Sequence, residues 1–332
     1  MRRPVITTVL LLSVAACGTL KERGSDAADS TVRGPIRKLR VSMQEYLSQA
    51  PIMIADAEGF FREEGIELEF LPGMRSQESM VALVTGDIDV RPAPISAAFL
   101  SAIAQKAPIR AVADEGYFPA GGCAYFGIVL RKGLDTAGSP RIQRMRTGTD
   151  GATRFISERL LTMRNIPIRE IEAVNMPEGA MASSLEAGGI DAISATEPML
   201  TRLTKIGRRW LSAQDAAPDM QFGVIAFSSR LLNEDRELGV RFLRAYRRGI
   251  ARFGEGKTPR NVAILAKRTH ESEDIIREAC WPSFRENSRI KWEGVETFQA
   301  WALANKLIEQ TVTQSQVWDS SFLVASDRAS RK

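Results

Sequence analysis

The chain has 332 residues, 45 of them Lys or Arg and 40 Asp or Glu, for a formal charge of +5; hydrophobic residues make up 44% and charged residues 26%. These proportions exclude disorder as the main state, and so small a surplus over this length is too dilute for a nucleic-acid footprint. One histidine and three cysteines exclude a multi-histidine metal centre, a cysteine cage and a dense disulfide scaffold.

In chain order, Arg2 and Arg3 precede an apolar run from Val5 to Ala16 that ends Val14-Ala15-Ala16-Cys17. The run is too short to cross a bilayer as a helix, which needs about 20 residues. It reads as a signal peptide over residues 1–16. Its ending resembles the bacterial lipobox, which makes Cys17 the expected lipidation site and the first residue of the mature chain. Cleavage also removes Arg2 and Arg3 and lowers the surplus to +3. Residues 17–36 have no aromatic side chain and no periodic apolar face, so they read as a flexible tether. Cys123 and Cys280 remain, and export is compatible with a disulfide between them or with two buried thiols.

Leu39 to Met43 alternates apolar and polar, a strand. A helix is expected from Pro51 through Phe61 to Gly65, then a second strand from Ile66 to Phe70. The next helix buries Met80, Leu83 and Val84 and stops at Gly86; a third strand begins at Ile88, and Pro94 opens a helix to about Gln105. Strands alternating with helices in this way favour a parallel sheet covered by helices.

The order then repeats. Leu83-Val-Thr-Gly86-Asp-Ile88-Asp89 matches Leu185-Glu-Ala-Gly188-Gly-Ile190-Asp191 at an offset of 102. At the same offset the Pro51 helix faces a helical run from Gly151 to Arg164, and Ile66–Phe70 faces Ile168–Val174. Pro94 corresponds to Pro198 with a two-residue slip. Two lobes of one topology follow. From Phe227 onward the chain reads as helical, with Leu238, Phe242, Ala245, Tyr246, Gly249, Ile250 and Phe253 on one apolar face. Arg241, Arg244, Arg247, Arg248 and Arg252 lie mostly on the other side and read as a solvated face.

With these elements in place, the chain resembles the substrate-binding proteins of ABC importers in the nitrate, sulfonate, taurine and thiamine-precursor group. The resemblance is carried by Ala50-Pro51-Ile-Met-Ile-Ala55, Glu58-Gly-Phe-Phe-Arg-Glu-Glu-Gly-Ile66, Ala82-Leu-Val-Thr-Gly-Asp-Ile-Asp-Val90, Leu185–Asp191, Thr196-Glu197-Pro198 and Trp318-Asp-Ser-Ser-Phe-Leu323. It implies an α/β, two-lobed periplasmic-binding-protein fold of type II, each lobe a mostly parallel sheet flanked by helices. The implied division is residues 37–126 and 227–323 in lobe one, 127–226 in lobe two, and a tail over 324–332. Hinge crossings are expected near Phe126–Leu130 and Phe222–Phe227. The resemblance further implies a monomer that needs no cofactor, binds a small-molecule ligand, and works with permease and ATPase subunits. Its place would be the periplasm or the outer face of the cell membrane, held by the lipid anchor.

In open parallel sheets, ligands bind beyond the carboxyl ends of the strands, where helices begin. That rule selects Gln44, Tyr46 and Ser48, then Arg75 to Gln77, then Arg91 to Ser96 in lobe one. In lobe two it selects Thr147 to Thr153, Met176 to Gly179, and Thr196 with Glu197. Thr147-Gly-Thr-Asp-Gly-Ala-Thr153 combines glycines, hydroxyls and a helix start, a setting that favours an anion. Thr149, Asp150 and Thr153 are its ligand candidates, with plain helix capping as the alternative for Thr149 and Asp150. Glu197 suits a ligand amine or ring N–H, or a neighbouring arginine. Tyr117, Phe118 and Tyr125 form either an aromatic wall or packing at the lobe junction. Arg75 and Arg91 either neutralise an anion or remain surface charges. Ser96 completes the candidate set.

Competing chemistry fails on its residues. Gly254-Glu-Gly-Lys-Thr258 lacks the leading glycine of a phosphate loop, because position 251 is Ala251. No G-x-S-x-G, H-E-x-x-H or C-x-x-C motif occurs, and His270 stands alone at a helix start. The expectation is a non-enzymatic, lipid-anchored receptor. Its rivals are a lyase or dehydratase on the same fold and a ligand-sensing lipoprotein.

Overall fold

The computed structural model describes residues 35–74, 76–134, 140–148 and 151–330. The signal run, Cys17, and all of the tether before residue 35 lie outside the described residues. Among the described residues, ten strands form two sheets. β1 (Arg37–Met43), β2 (Ile66–Pro72), β3 (Val90–Pro94) and β4 (Arg110–Asp114) come first. β5 (Phe126–Leu130), β6 (Arg144–Arg146), β7 (Glu172–Ala173), β8 (Ala192–Thr196), β9 (Arg208–Ser212) and β10 (Gly223–Phe227) follow. The spatial orders are β2-β1-β3-β10-β4 and β7-β6-β8-β5-β9. The two sheets share one topology, as the 102-residue repeat requires.

Each sheet is mixed. β1 runs parallel to β2 and β3, and β6 runs parallel to β7 and β8. The strand arriving from a crossing, β10 in one sheet and β5 in the other, runs antiparallel to both neighbours. The chain passes between sheets twice, from Asp114 to Phe126 and from Ser212 to Gly223. Because β10 pairs with β3 and β4, the sequence division at 226 and 227 passes through a strand of the first sheet.

Local chemistry accounts for several departures from the expected elements. The helix expected from Pro51 to Gly65 is two, Ala50–Ala57 and Phe60–Glu63, because Gly59 adopts φ +80° between them. Pro94 ends β3 opposite Gly223 and does not open a helix. The helix Ala97–Ala104 starts instead at Ser96, whose side chain accepts from the Phe99 N–H. Part of the strand expected over 168–174 is a 3-10 turn, Ile168–Glu170, which leaves only Glu172 and Ala173 to pair.

The helix Arg236–Gly254 buries all seven residues of its expected apolar face. Gly249 is required there, since a Cβ would strike the Pro51 carbonyl oxygen of the helix Ala50–Ala57. The arginine row is solvated only in part. Arg244 is buried and donates twice to Glu64 Oε2, at 3.0 and 2.7 Å. Arg248 pairs with Glu63 at 2.6 Å, Arg241 donates to the Gly65 carbonyl, and Arg252 reaches Glu58 and Glu255. These arginines flank the buried face and meet an acidic segment about 180 residues away in sequence.

Candidate functional site

The carboxyl ends of the two sheets face each other across a seam, and the polar groups at each edge have defined partners. On the first edge, the chain leaving β1 places Gln44, half-buried, with its N–H on Gln49 Oε1 (2.8 Å) and its Nε2 on the Met74 carbonyl (2.9 Å). Ser48 is fully buried. Its N–H donates to the Tyr125 hydroxyl at 3.1 Å, and its Oγ donates to Glu115 Oε1 at 3.0 Å. Glu115 follows β4, is wholly buried, and has no hydrogen-bond partner for Oε2. Burial pushes its carboxyl well above the ordinary range, against the pull of Ser48 and of Arg91. Burial likewise raises the Tyr125 hydroxyl.

On the second edge, Arg146 and Ser194 exchange hydrogen bonds between β6 and β8, Arg146 Nη1 to the Ser194 carbonyl (3.3 Å) and Ser194 Oγ to the Arg146 carbonyl (3.2 Å). Thr147 Oγ1 is buried without a partner. Thr153 is half-buried near the start of the helix Ala152–Thr162 and crowds Gly148 so closely that a Cβ there would strike its hydroxyl. Arg75, Thr149 and Asp150 lie outside the described residues.

Four contacts join the edges. The Tyr46 hydroxyl donates to Glu178 Oε1 at 2.9 Å, and both burial and that carboxylate raise its pKa. The Leu47 N–H donates to the Glu197 carbonyl at 3.3 Å, and the Ala152 N–H to the Ile95 carbonyl at 2.9 Å. Ser96 and Gly151 form an isolated antiparallel bridge. The seam therefore brings together Tyr46, Ser96 and Glu197 with Glu178, Gly151 and Ala152.

Glu197 is fully buried, and its oxygens are engaged inside the protein. Oε2 accepts from the Thr201 N–H (2.9 Å), and Oε1 accepts from the Thr201 hydroxyl (2.9 Å) and the Cys280 N–H (3.1 Å). Burial raises its pKa to about 7, opposed by these donors and by Arg209. Tyr117 stands apart from the seam, with the Arg285 guanidinium 4.0 Å above its ring. Phe118, Tyr125 and Phe222 pack on one another at the crossings, with centroids 5.2 to 6.3 Å apart.

Residues the strand-end rule did not single out also belong here. Glu115 lies one residue beyond β4, a strand absent from the sequence reading. The strand's apolar residues Ala111-Val112-Ala113 run together without alternating, and it is buried from Ala111 to Asp114, so a period-two pattern does not reveal it. Gln49 and Arg146 sit beside selected residues and are recognisable only by their partners. Chemically, the edges offer hydroxyls, amides, a guanidinium and carboxyl groups to a small polar solute. No cluster of three or more His, Cys, Asp or Glu suited to a metal occurs among the described residues.

No protein-family model and no curated protein sequence matches the chain. Solved structures do. The ligand-binding component of an ABC-type import system from Staphylococcus aureus aligns with TM-score 0.75 at 17% identity, over 88% of this chain and 99% of its own. The periplasmic aliphatic sulphonate binding protein of Escherichia coli aligns with TM-score 0.67 at 15% identity, over 85% and 92%. A desulfurization enzyme aligns with TM-score 0.63 at 16% identity, over 89% and 99%. At such identities the likeness is one of fold. It is the two-lobed α/β fold of importer binding proteins, and it also carries an enzyme.

Proposed function

We propose that the chain is a lipid-anchored extracytoplasmic solute-binding protein. It captures a small organic or anionic ligand between its lobes and delivers it to the permease and ATPase of an ABC importer. One observation carries the reading: two sheets of equivalent strand order turn their carboxyl ends toward each other, and the described chain passes between them twice. The fold neighbours among import proteins support it. Gln44, Tyr46, Ser48, Arg75, Ser96, Tyr117, Thr149, Asp150, Thr153 and Glu197 remain the proposed ligand set. Tyr46 and Thr153 lead it, because each brings a hydroxyl to the seam. A ligand bridging both edges favours the closed form, since only that form offers both sets of contacts.

The test is calorimetry and thermal shift on the mature protein against sulfonates, nitrate, aminopyrimidines and flavins. A true ligand gives saturable heat and a melting temperature that rises with its concentration, and Tyr46→Phe or Thr153→Ala weakens it. Silence across the whole panel sinks the reading. The enzyme alternative is favoured by the desulfurization enzyme among the fold neighbours. Release of an inorganic sulfur oxyanion from sulfonates or sulfinates, with turnover, would establish it.

A further inference from the structure

The two crossings pair with each other. The Glu115 N–H donates to the Gly223 carbonyl (3.1 Å), Phe222 N–H to Gly116 (3.0 Å), and Phe118 N–H to Met220 (3.1 Å). A third segment from the carboxyl-terminal region, residues 280–291, lies along both. The Tyr117 N–H donates to the Ser283 carbonyl (3.0 Å) and the Asp114 N–H to the Ser288 carbonyl (2.9 Å). The Arg285 N–H donates to Asp114 Oδ2 (3.0 Å).

Gln221, fully buried in the second crossing, ties the three segments together. Its Oε1 accepts from Arg285 Nη1 (2.9 Å) and from the Lys291 N–H (3.0 Å). Its Nε2 donates to Asp114 Oδ1 and to the Gly116 and Gly223 carbonyls. Lys291 also pairs with Asp219. The far end of the segment is held differently. Cys280 is disulfide-bonded to Cys123, two residues before Tyr125 and the entry to β5, and its N–H donates to Glu197 at the edge of the second sheet. The segment thus grips the first sheet's side of the hinge by hydrogen bonds and the second sheet's side chiefly by one covalent bond.

We propose that residues 280–291 form a strap across the hinge, and that the Cys123–Cys280 disulfide is its redox-sensitive fastener. With the disulfide formed, the crossings are held and the separation of the lobes is restricted. With it reduced, the lobes separate further while each stays folded. Cys123 is exposed and Cys280 buried, so the exposed half-cystine is the accessible target. A thiolate of an external dithiol attacks Cys123 Sγ, and the S–S bond breaks. Cys280 leaves as a thiolate and takes a proton from solvent. The second thiol then closes the reagent's own disulfide and releases Cys123. The protein gains two electrons and the dithiol loses two. The proposal goes beyond the binding function and needs no ligand to test.

The experiment compares the full chain carrying Cys17→Ser before and after dithiothreitol, by amide hydrogen exchange and small-angle X-ray scattering without ligand. Cys123→Ser/Cys280→Ser serves as a second route to the same state. Reduction is expected to speed exchange at the Asp114, Tyr117 and Phe118 amides by about tenfold or more. Exchange along β1 should change less than about twofold, and the radius of gyration should rise. Arg285→Ala, which loosens the strap with the disulfide intact, should raise the same amides. Unchanged exchange at the crossings overturns the proposal. So does a uniform loss of protection over both sheets, which would make the disulfide a staple for overall stability.

Discussion

At the scale of single residues, Glu197 departs most from its expected role. Its position at a strand end before Pro198 nominates it for a ligand amine, yet its carboxyl holds the Thr201 and Cys280 backbone N–H groups. Its folded pKa of about 7 stands above the ordinary 4.5, so between those values the folded protein keeps a proton that the unfolded chain releases. The associated stability is complete below about pH 4.5 and is lost as pH rises through about 7, with a size on the order of 3 kcal/mol. Asp56, Asp114 and Glu115 are raised as well and titrate in the same direction. The informative quantity is therefore a difference between proteins. Urea unfolding at pH 5.5 and pH 8 should show wild type losing more stability on the alkaline side than Glu197→Gln does. Equal losses would remove Glu197 as the group responsible. Thr201, four residues on, supplies two of the three donors, and the third, the Cys280 N–H, comes from 83 residues away and has no signal around Thr196-Glu197-Pro198.

At the scale of elements, the helix Arg236–Gly254 shows how far periodicity reaches. A 3.6-residue period identifies the buried face correctly, but it is silent about what meets the flanks of that face. Arg244 and Glu64 each expose 7% of their side chains, whereas Arg248 and Glu63 expose 42% and 45%. Arg244→Ala leaves a buried carboxylate unpaired and should cost about 3–5 kcal/mol. Arg248→Ala removes an exposed pair and a contact over the Phe60 ring, and should cost about 1 kcal/mol or less. Chemical denaturation of the two variants checks the ordering, and a similar cost for both would contradict the burial argument. The helix boundaries follow the same lesson. Pro94 is compatible with a helix start and with a strand end, and its pairing opposite Gly223 decides between them.

At the scale of the molecule, the larger of two apolar clusters among the described residues includes both sheets, from Leu39 and Val41 in β1 to Phe126 and Ile128 in β5 and Phe155 beyond it, and the smaller lies around Val129, Leu185, Ile193 and Leu200 of the second lobe. Phe155 of the second lobe packs edge-on against Phe298, centroids 6.0 Å apart, and Trp301 donates to Glu158. Lobes sharing a core in this way should unfold together. Calorimetry of the oxidised protein is expected to give a single transition whose calorimetric and van't Hoff enthalpies agree; two separated transitions would show that the lobes are energetically independent. Such coupling also bears on function, because a ligand at the seam then stabilises the whole molecule.

The sequence by itself determined the alternation of strands and helices, the repeat and hence the common topology of two lobes, though not every element: β4 and the true roles of Pro94 and Ile168–Glu170 escaped it. What it determined follows from local periodicity and turn chemistry, which a chain carries along its own length. It also nominated Tyr46, Ser48, Ser96, Thr153 and Glu197 from their places after strands. Only the tertiary structure decided which of these groups meet and which are already occupied. It alone joined Cys123 to Cys280, turned an arginine row into a clamp, and laid residues 280–291 across both crossings through Gln221. Each of those outcomes depends on a partner remote in sequence, and no local pattern encodes which remote group will arrive at a given distance.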